Sequence, residues 1–236
     1  MNKIIIALDG PAGSGKTSSA KELSKRLGYT YIDTGAMYRA IALAWVNYLN
    51  SNNLDLEDYI NDKAKNNEIL TQIMNSNKVD LIQKGENLSI LLNGEDVSSQ
   101  IREITITKYS SPISAYPVVR EKLIDQQREL GKRGGVVMDG RDIGTVVFPN
   151  AELKVFLIAD LDSRTERRYK ELQAKGVEID KEDLKKQIAE RDFNDSNRDA
   201  SPLKRAEDAL EMDTSNMSFE EQIEELLELV NAKIVE

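Results

Sequence analysis

One stretch near the start of the chain limits the fold more than any other. The apolar run Lys3-Ile4-Ile5-Ile6-Ala7-Leu8-Asp9 has the length of a buried strand. Gly10-Pro11-Ala12-Gly13-Ser14-Gly15-Lys16-Thr17 follows at once, and a helical pattern comes after it. Glycine, four residues, glycine, lysine and a hydroxyl residue, set between a strand and a helix, is the arrangement that wraps backbone N–H groups around a polyphosphate. Lys16 is placed to reach the outer phosphates, and the Thr17 hydroxyl to bind Mg²⁺. Residues Gly10 to Ser18 are therefore the candidate triphosphate contacts. An ordinary flexible glycine loop is the alternative, and the flanking strand and helix argue against it.

Further strand and helix patterns alternate along the chain. Ala20, Leu23 and Leu27 share one helical face that stops at Gly28. Tyr29 to Asp33 reads as a strand, and Met37, Ile41, Ala44, Trp45 and Tyr48 as the buried side of a second helix. The polar stretch 49–77 carries one or two amphipathic helices. Val79 to Gln83 and Leu88 to Leu92 are strand-like, joined by Lys84-Gly85-Glu86-Asn87, with a further turn at Asn93-Gly94. Small antiparallel strands do not belong inside a βαβ series, so residues 63–97 read as an insertion beside the main sheet. Residues 98–134 are helical, broken at Pro112 and Pro117. Strands are expected at 136–139, 153–158 and 209–213, and charged helices at 163–175 and 181–194. A terminal helix is opened by the capping-box spacing of Ser218 and Glu221. The fold class is α/β, a three-layer α/β/α arrangement on a mainly parallel sheet. Ligands then sit at the carboxyl ends of the strands. The 236 residues suit one domain with an insertion, or at most two small ones, and a single domain over 1–236 is the expectation.

Composition narrows the chemistry. With no cysteine, thiolate zinc sites and a cysteine nucleophile are excluded, and a reducing cytoplasm suits the chain. The opening enters a strand with no signal-peptide pattern, and no apolar run is long enough for a membrane span. A net charge of −9 argues against a nucleic-acid polymer as partner. Histidine is also absent, so a general base would have to be a carboxylate, Lys or Tyr, or the reaction needs none. A phosphate monoester is such an acceptor, because its second pKa of ~6 leaves it ionised near neutrality. It needs arginines to shield its charge and hold it in line. An alcohol acceptor would want a base, for which Asp142 or Asp33 could serve.

Polar residues gather where such a fold puts its site. Asp9-Gly10, Asp33-Thr34-Gly35 and Asp139-Gly140-Arg141-Asp142 each end a strand, and Tyr38 and Arg39 lie one turn after the second. Asp139 is the candidate carboxylate for Mg²⁺, directly or through water, with a helix cap or turn former as the alternative. Arg164 and Arg168 stand four apart on one helix, with Arg167 beside them. Arg191, Asp195 and Arg198 are spaced to point the same way. A run of arginines on a charged helix is often only a solvated face. Beside a phosphate loop, it can instead close over the transferred group, with Gly176 as a hinge. Asn77-Lys78-Val79-Asp80 imitates a guanine-reading motif, but no D-x-x-G occurs in the chain, and the match is accidental.

Residues 6–16, the segment Tyr31-Ile32-Asp33-Thr34-Gly35-Ala36-Met37-Tyr38-Arg39, the segment 138–149 (MDGRDIGTVVFP) and the segment 191–198 (RDFNDSNR) closely resemble the bacterial cytidylate kinases, P-loop nucleoside-monophosphate kinases. The resemblance runs over almost the whole length and is weakest at about 50–77. It implies ATP and CMP or dCMP as substrates, Mg²⁺ as cofactor, a short helical lid at about 162–177, and an α+β nucleotide-monophosphate-binding insert. It implies Arg39, Arg141 and Arg198 as ligands of the CMP phosphate, and Ser111, Arg120 and Asp142 as readers of cytosine. Arg191 and Asp195, with Thr34 nearby, would be sugar contacts, and Arg164 and Arg168 lid arginines. Lys16, Arg141, Arg164, Arg168 and Arg198 would then be the catalytic cations. A carboxylate accepts from the exocyclic N4 amine of cytosine, where uracil offers a carbonyl. A cytoplasmic monomer acting on no polymer and no membrane is the expectation. The rivals are a small-metabolite kinase of the shikimate or gluconate type, and a non-catalytic NTP-binding switch. The insertion and the Arg191–Arg198 cluster argue against the first, the missing D-x-x-G against the second.

Overall fold

The computed structural model describes residues 3–84 and 87–235. In chain order the elements begin with β1 (Ile5–Asp9), α1 (Lys16–Leu27), β2 (Thr30–Asp33), α2 (Thr34–Ser51), α3 (Leu56–Asn61) and α4 (Lys63–Ser76). Then come β3 (Val79–Lys84), β4 (Asn87–Leu92), β5 (Glu95–Asp96), α5 (Ile104–Ser114), α6 (Pro117–Gly131) and β6 (Val136–Gly140). A π turn (Ile143–Val147) leads to β7 (Leu153–Ile158), α7 (Leu161–Ala174), α8 (Lys181–Asn197), β8 (Leu210–Asp213) and α9 (Phe219–Val235). Contacts gather these into two compact units: residues up to Tyr31 with those from Gly131 onward, and Ile32–Leu130.

The first unit is built on a sheet of order β2-β6-β1-β7-β8. β1 pairs in parallel with β6 on one side and β7 on the other, and β8 is parallel to β7. A central parallel strand is covered on both faces, which is why β1 is an unbroken apolar run: Ile6, Ala7 and Leu8 are fully buried. The register sets Asp9 opposite Gly140 and Leu8 opposite Asp139, so the carboxyl ends of β1 and β6 lie side by side. α1 buries Ala20 and Leu23 and ends in Lys25 and Arg26, which complement the helix dipole. Gly28 stops it at φ 65°. The capping box of α9 is reciprocal: Glu221 N–H donates to Ser218 Oγ at 3.3 Å, and Ser218 N–H to Glu221 Oε2 at 2.7 Å. Ile223, Leu226 and Val230 form its buried stripe. Truncating Leu226 to Ala would cost about 2–5 kcal/mol. α7 and α8 share a small apolar cluster of their own, Leu172, Leu184 and Ile188.

The second unit centres on α2. Asp33 caps it by accepting from Ala36 N–H at 2.8 Å, and Met37, Ile41, Trp45 and Leu49 are fully buried. The Trp45 indole donates to Asn66 Oδ1 at 2.5 Å, and Asn66 Nδ2 donates to the Tyr116 hydroxyl at 3.0 Å. A buried amide on α4 therefore satisfies two aromatic polar tips. β3, β4 and β5 form the small antiparallel sheet expected there, as a three-stranded meander. Of the joining residues, Gly85 and Glu86 lie outside the described residues. Asn77 and Lys78 are held in the hairpin by Asn93, and Lys78 pairs with Asp80 at 2.8 Å, which fits an accidental motif.

One expectation about the helices is corrected. Pro112 does not break its helix but lies inside α5, three residues before its C-cap. The break comes at Ala115 and Tyr116, and Pro117 opens α6, where a missing N–H costs nothing. Among the described residues, no helix is long and apolar enough to cross a membrane.

Candidate active site

The phosphate loop joins β1 to α1 through strained backbone that glycine alone tolerates. At Gly10, φ is 146°, and a Cβ there would stand 2.0 Å from the Leu157 carbonyl oxygen. Gly15, at φ 91°, occupies the N-cap of α1 without a capping side chain, and no acidic residue lies in the first turn. The helix N-terminus thus keeps its N–H groups and positive dipole end for an external anion. Thr17 and Ser18 on that first turn are exposed, and Ser14 is fully buried.

Lys16 is 4% exposed, and its ammonium donates to the Pro11 carbonyl at 2.6 Å, across the loop. Burial pushes its pKa well below the usual lysine range. Arg141 and Arg191 push the same way, and Asp139 and Asp9 push back. Asp139, at the end of β6, accepts from Thr17 Oγ1 at 2.7 Å and from the Tyr31 hydroxyl at 3.0 Å. Thr17 and Asp139, the two residues expected at Mg²⁺, are thus in direct hydrogen-bond contact. Among the described residues, no group of three or more His, Cys, Asp or Glu side chains is arranged to hold a metal. A hydroxyl and one carboxylate suit Mg²⁺, which keeps waters and takes its remaining ligands from phosphate oxygens.

The segment after β6 carries Arg141 and Asp142. Arg141 Nε donates to Asp195 Oδ2 at 2.9 Å. Arg198 approaches the same carboxylate at 3.8 Å and Asp142 at 3.9 Å, and its Nε donates to the Ser201 carbonyl at 2.7 Å. Burial opposes the charge on Asp195, but Arg141, Arg191 and Arg198 outweigh it and hold the carboxyl below its usual range. These five residues therefore form one cationic cluster with two embedded carboxylates. Asp9 differs: burial pushes its pKa up to about 6 and Asp142 adds to this, against hydrogen bonds from Gly144 and Ile143 and the charge of Lys16.

The two arginines expected on a lid behave differently. Arg164 is buried; its Nε donates to the Ala159 carbonyl at 2.9 Å, and its Nη1 to the Ala12 carbonyl at 3.1 Å and to Asp192. It is no solvated residue. Arg168 is partly exposed and pairs with Glu171 at 2.7 Å. Arg167, between them, grips Thr214 through its hydroxyl and its carbonyl.

Thr34, Arg39, Ser111 and Arg120 belong to the second unit. Arg39 pairs with Asp33 at 3.0 Å. Arg120 is 2% exposed, donates to the Ser114 carbonyl at 3.0 Å and lies 5.2 Å over the Tyr38 ring. Ser111 is half-buried one turn before that carbonyl, and Thr34 is buried at the start of α2.

Three site-side residues were assigned no role from the sequence. Asp192 accepts from the Ala12 N–H at 3.3 Å and from Arg164. Asp9 caps the π turn, and Tyr31 orients Asp139. The signal for Asp192 was its place beside Arg191 in the segment 191–198, and the signal for Asp9 its strand-end position.

The cytidylate kinase profile matches residues 6–232. A cytidylate kinase of Streptococcus pneumoniae (strain 70585) is 46% identical over 228 residues, covering 96% of each chain. One from Chloroherpeton thalassium is 47% identical over 231 residues, 96% of this chain and 93% of that one. A shikimate kinase from Acinetobacter baumannii, solved with shikimate, aligns over 99% of this chain and 96% of that one, at 14% identity and a TM-score of 0.46.

Proposed function

The chain belongs to the cytidylate kinase family and moves the γ-phosphoryl group of ATP to CMP or dCMP, and we propose that it does so by direct in-line transfer without a protein base. The observation that carries this reading is the cluster of Arg141, Arg191 and Arg198 around Asp195, in the same unit as a phosphate loop. A CMP phosphate with a second pKa of ~6 is already a nucleophile near neutral pH. What it lacks is charge shielding and alignment, and arginine forks supply both.

In this account, Arg141 and Arg198 hold the acceptor phosphate, and Arg191 and Asp195 the sugar. Asp142 accepts from the N4 amine of cytosine. Lys16 turns from the Pro11 carbonyl to the β/γ-phosphates, while the amides of residues 10–18 cradle the chain of phosphates. Arg164 and Arg168 face the transferred group. Thr17 and Asp139 would hold Mg²⁺, which when bound neutralises charge on the phosphate oxygens. Residues 162–177 are the proposed lid, joined to α8 by a small apolar cluster. Thr34, Arg39, Ser111 and Arg120 are proposed CMP contacts on their motifs alone, with residues 63–97 as the nucleotide-monophosphate-binding insert. A cytoplasmic monomer working on free nucleotides completes the reading.

Stereochemistry tests the transfer step. ATP made chiral at its γ-phosphorus should give CDP with inverted configuration at the transferred phosphorus. Retention would mean two displacements through a phosphorylated protein group, and would contradict direct transfer.

A further inference from the structure

The π turn Ile143–Val147 starts directly after Asp142. The start of a helical turn leaves backbone N–H groups without partners, and the residue before it commonly satisfies them with its own side chain. Asp142 stands in that place, yet its side chain makes no cap hydrogen bond. The cap comes from Asp9 instead, 134 residues before Ile143. Asp9 Oδ1 accepts from Ile143 N–H at 2.9 Å, and Oδ2 from Gly144 N–H at 2.7 Å. Both oxygens of a carboxylate that is 5% exposed are thus spent on two consecutive amides. Asp9 is also the last residue of β1, and Gly10, where the phosphate loop begins, is held against the Leu157 carbonyl.

We propose that Asp9 is a positioning residue for acceptor recognition: by capping the turn at Ile143 and Gly144 from the end of β1, it relieves Asp142 of that duty, sets the direction of the Asp142 carboxylate, and ties the cytosine-reading segment to the phosphate loop. The proposal rests on the reading of Asp142 as a cytosine contact. Only a carboxylate does this well. Asparagine has the same size but one acceptor oxygen, and its NH₂ would confront one of the two N–H donors. Asp9 touches neither substrate in this account. Its effect should therefore appear in how CMP is chosen, where a purely structural role would lower stability alone.

The test compares Asp9→Asn, Gly144→Ala and Asp142→Ala, assayed with CMP, UMP and ATP, with thermal melting alongside. A Cβ at Gly144 would stand 3.4 Å from Asp9 Oδ2 and 3.1 Å from Lys154 Cδ, so it presses on the same cap without changing charge. It keeps the test open if Asp9→Asn does not fold. Asp9→Asn should raise the CMP KM about tenfold and shrink the CMP-over-UMP ratio of kcat/KM about fivefold, with the ATP KM within about threefold of wild type. Gly144→Ala should move the same quantities in the same direction by less. If Asp142→Ala alters the CMP KM and the ratio while the other two variants leave both at wild type, the proposal is overturned and the reading of Asp142 stands. A fall in melting temperature with unchanged KM values overturns it equally. If Asp142→Ala itself changes neither quantity, the reading of Asp142 fails and the proposal falls with it.

Discussion

Arg164 donates from its Nη1 to the carbonyl oxygen of Ala12 at 3.1 Å, so the first arginine of α7 is tied to the phosphate loop. Its other partners are the Ala159 carbonyl and Asp192, which also takes the Ala12 N–H. Removing the guanidinium takes the ion-pair partner from a mostly buried carboxylate, which keeps the Ala12 N–H, and a donor from two carbonyls. Arg164→Ala should therefore lose about 3 kcal/mol of stability as well as activity. Arg168 pairs with a neighbour three residues away at the surface, and Arg168→Ala should cost no more than about 0.5 kcal/mol. Urea unfolding of both variants decides the matter: equal stabilities would mean that the Arg164 network holds nothing.

In the proposed reaction, Lys16 supplies the cation for the outer phosphates. Lys16→Ala should lower kcat by roughly a hundred- to a thousandfold, with the fold retained by circular dichroism. Activity within about tenfold of wild type would contradict the placement of the loop.

Asp139 bridges Thr17 and Tyr31 at 2.7 and 3.0 Å. Asp139→Asn keeps the size and removes the charge that would attract Mg²⁺. The Mg²⁺ concentration for half-maximal rate should rise about tenfold at saturating ATP and CMP. An unchanged Mg²⁺ titration would leave Asp139 as a mere turn former.

The Asp9 pKa, pushed up to about 6 from 3.8, has a signed consequence for stability. The folded protein holds this proton more tightly than the unfolded chain does. The charged carboxylate therefore opposes folding at neutral pH, and the opposition is relieved as pH falls from above 6 toward 3.8. The stability of wild type relative to Asp9→Asn should rise between pH 7 and pH 4, by up to about 3 kcal/mol. Urea unfolding of the pair at pH 7, 6, 5 and 4 measures it, and a difference that stays flat or falls would contradict the burial of a charged Asp9.

The parts of the site set by local chemistry were legible in the sequence. Gly10–Thr17 announced itself through spacing, and the parallel strands through runs such as Ile4–Leu8. The Asp139–Thr17 pairing followed from strand ends meeting in a parallel sheet. What stayed hidden depends on contacts between distant segments. Nothing local says that Asp9 caps a turn 134 residues away, or that Asp192 holds the loop at Ala12. Helical periodicity put Arg164 and Arg168 on one face, but burial of the first depends on the loop packed against it. Pro112 misled for the opposite reason: a local rule against proline in helices yielded to an α5 that ends two residues later.

The phosphate loop says only that a triphosphate donates, and the central claim is that the acceptor is a cytosine monophosphate. Release of ADP, followed with CMP, dCMP, UMP, AMP, GMP and shikimate in turn, tests it most directly. CMP and dCMP should stimulate turnover far above the others. No stimulation by either, or equal stimulation by shikimate or the purine monophosphates, would contradict the account.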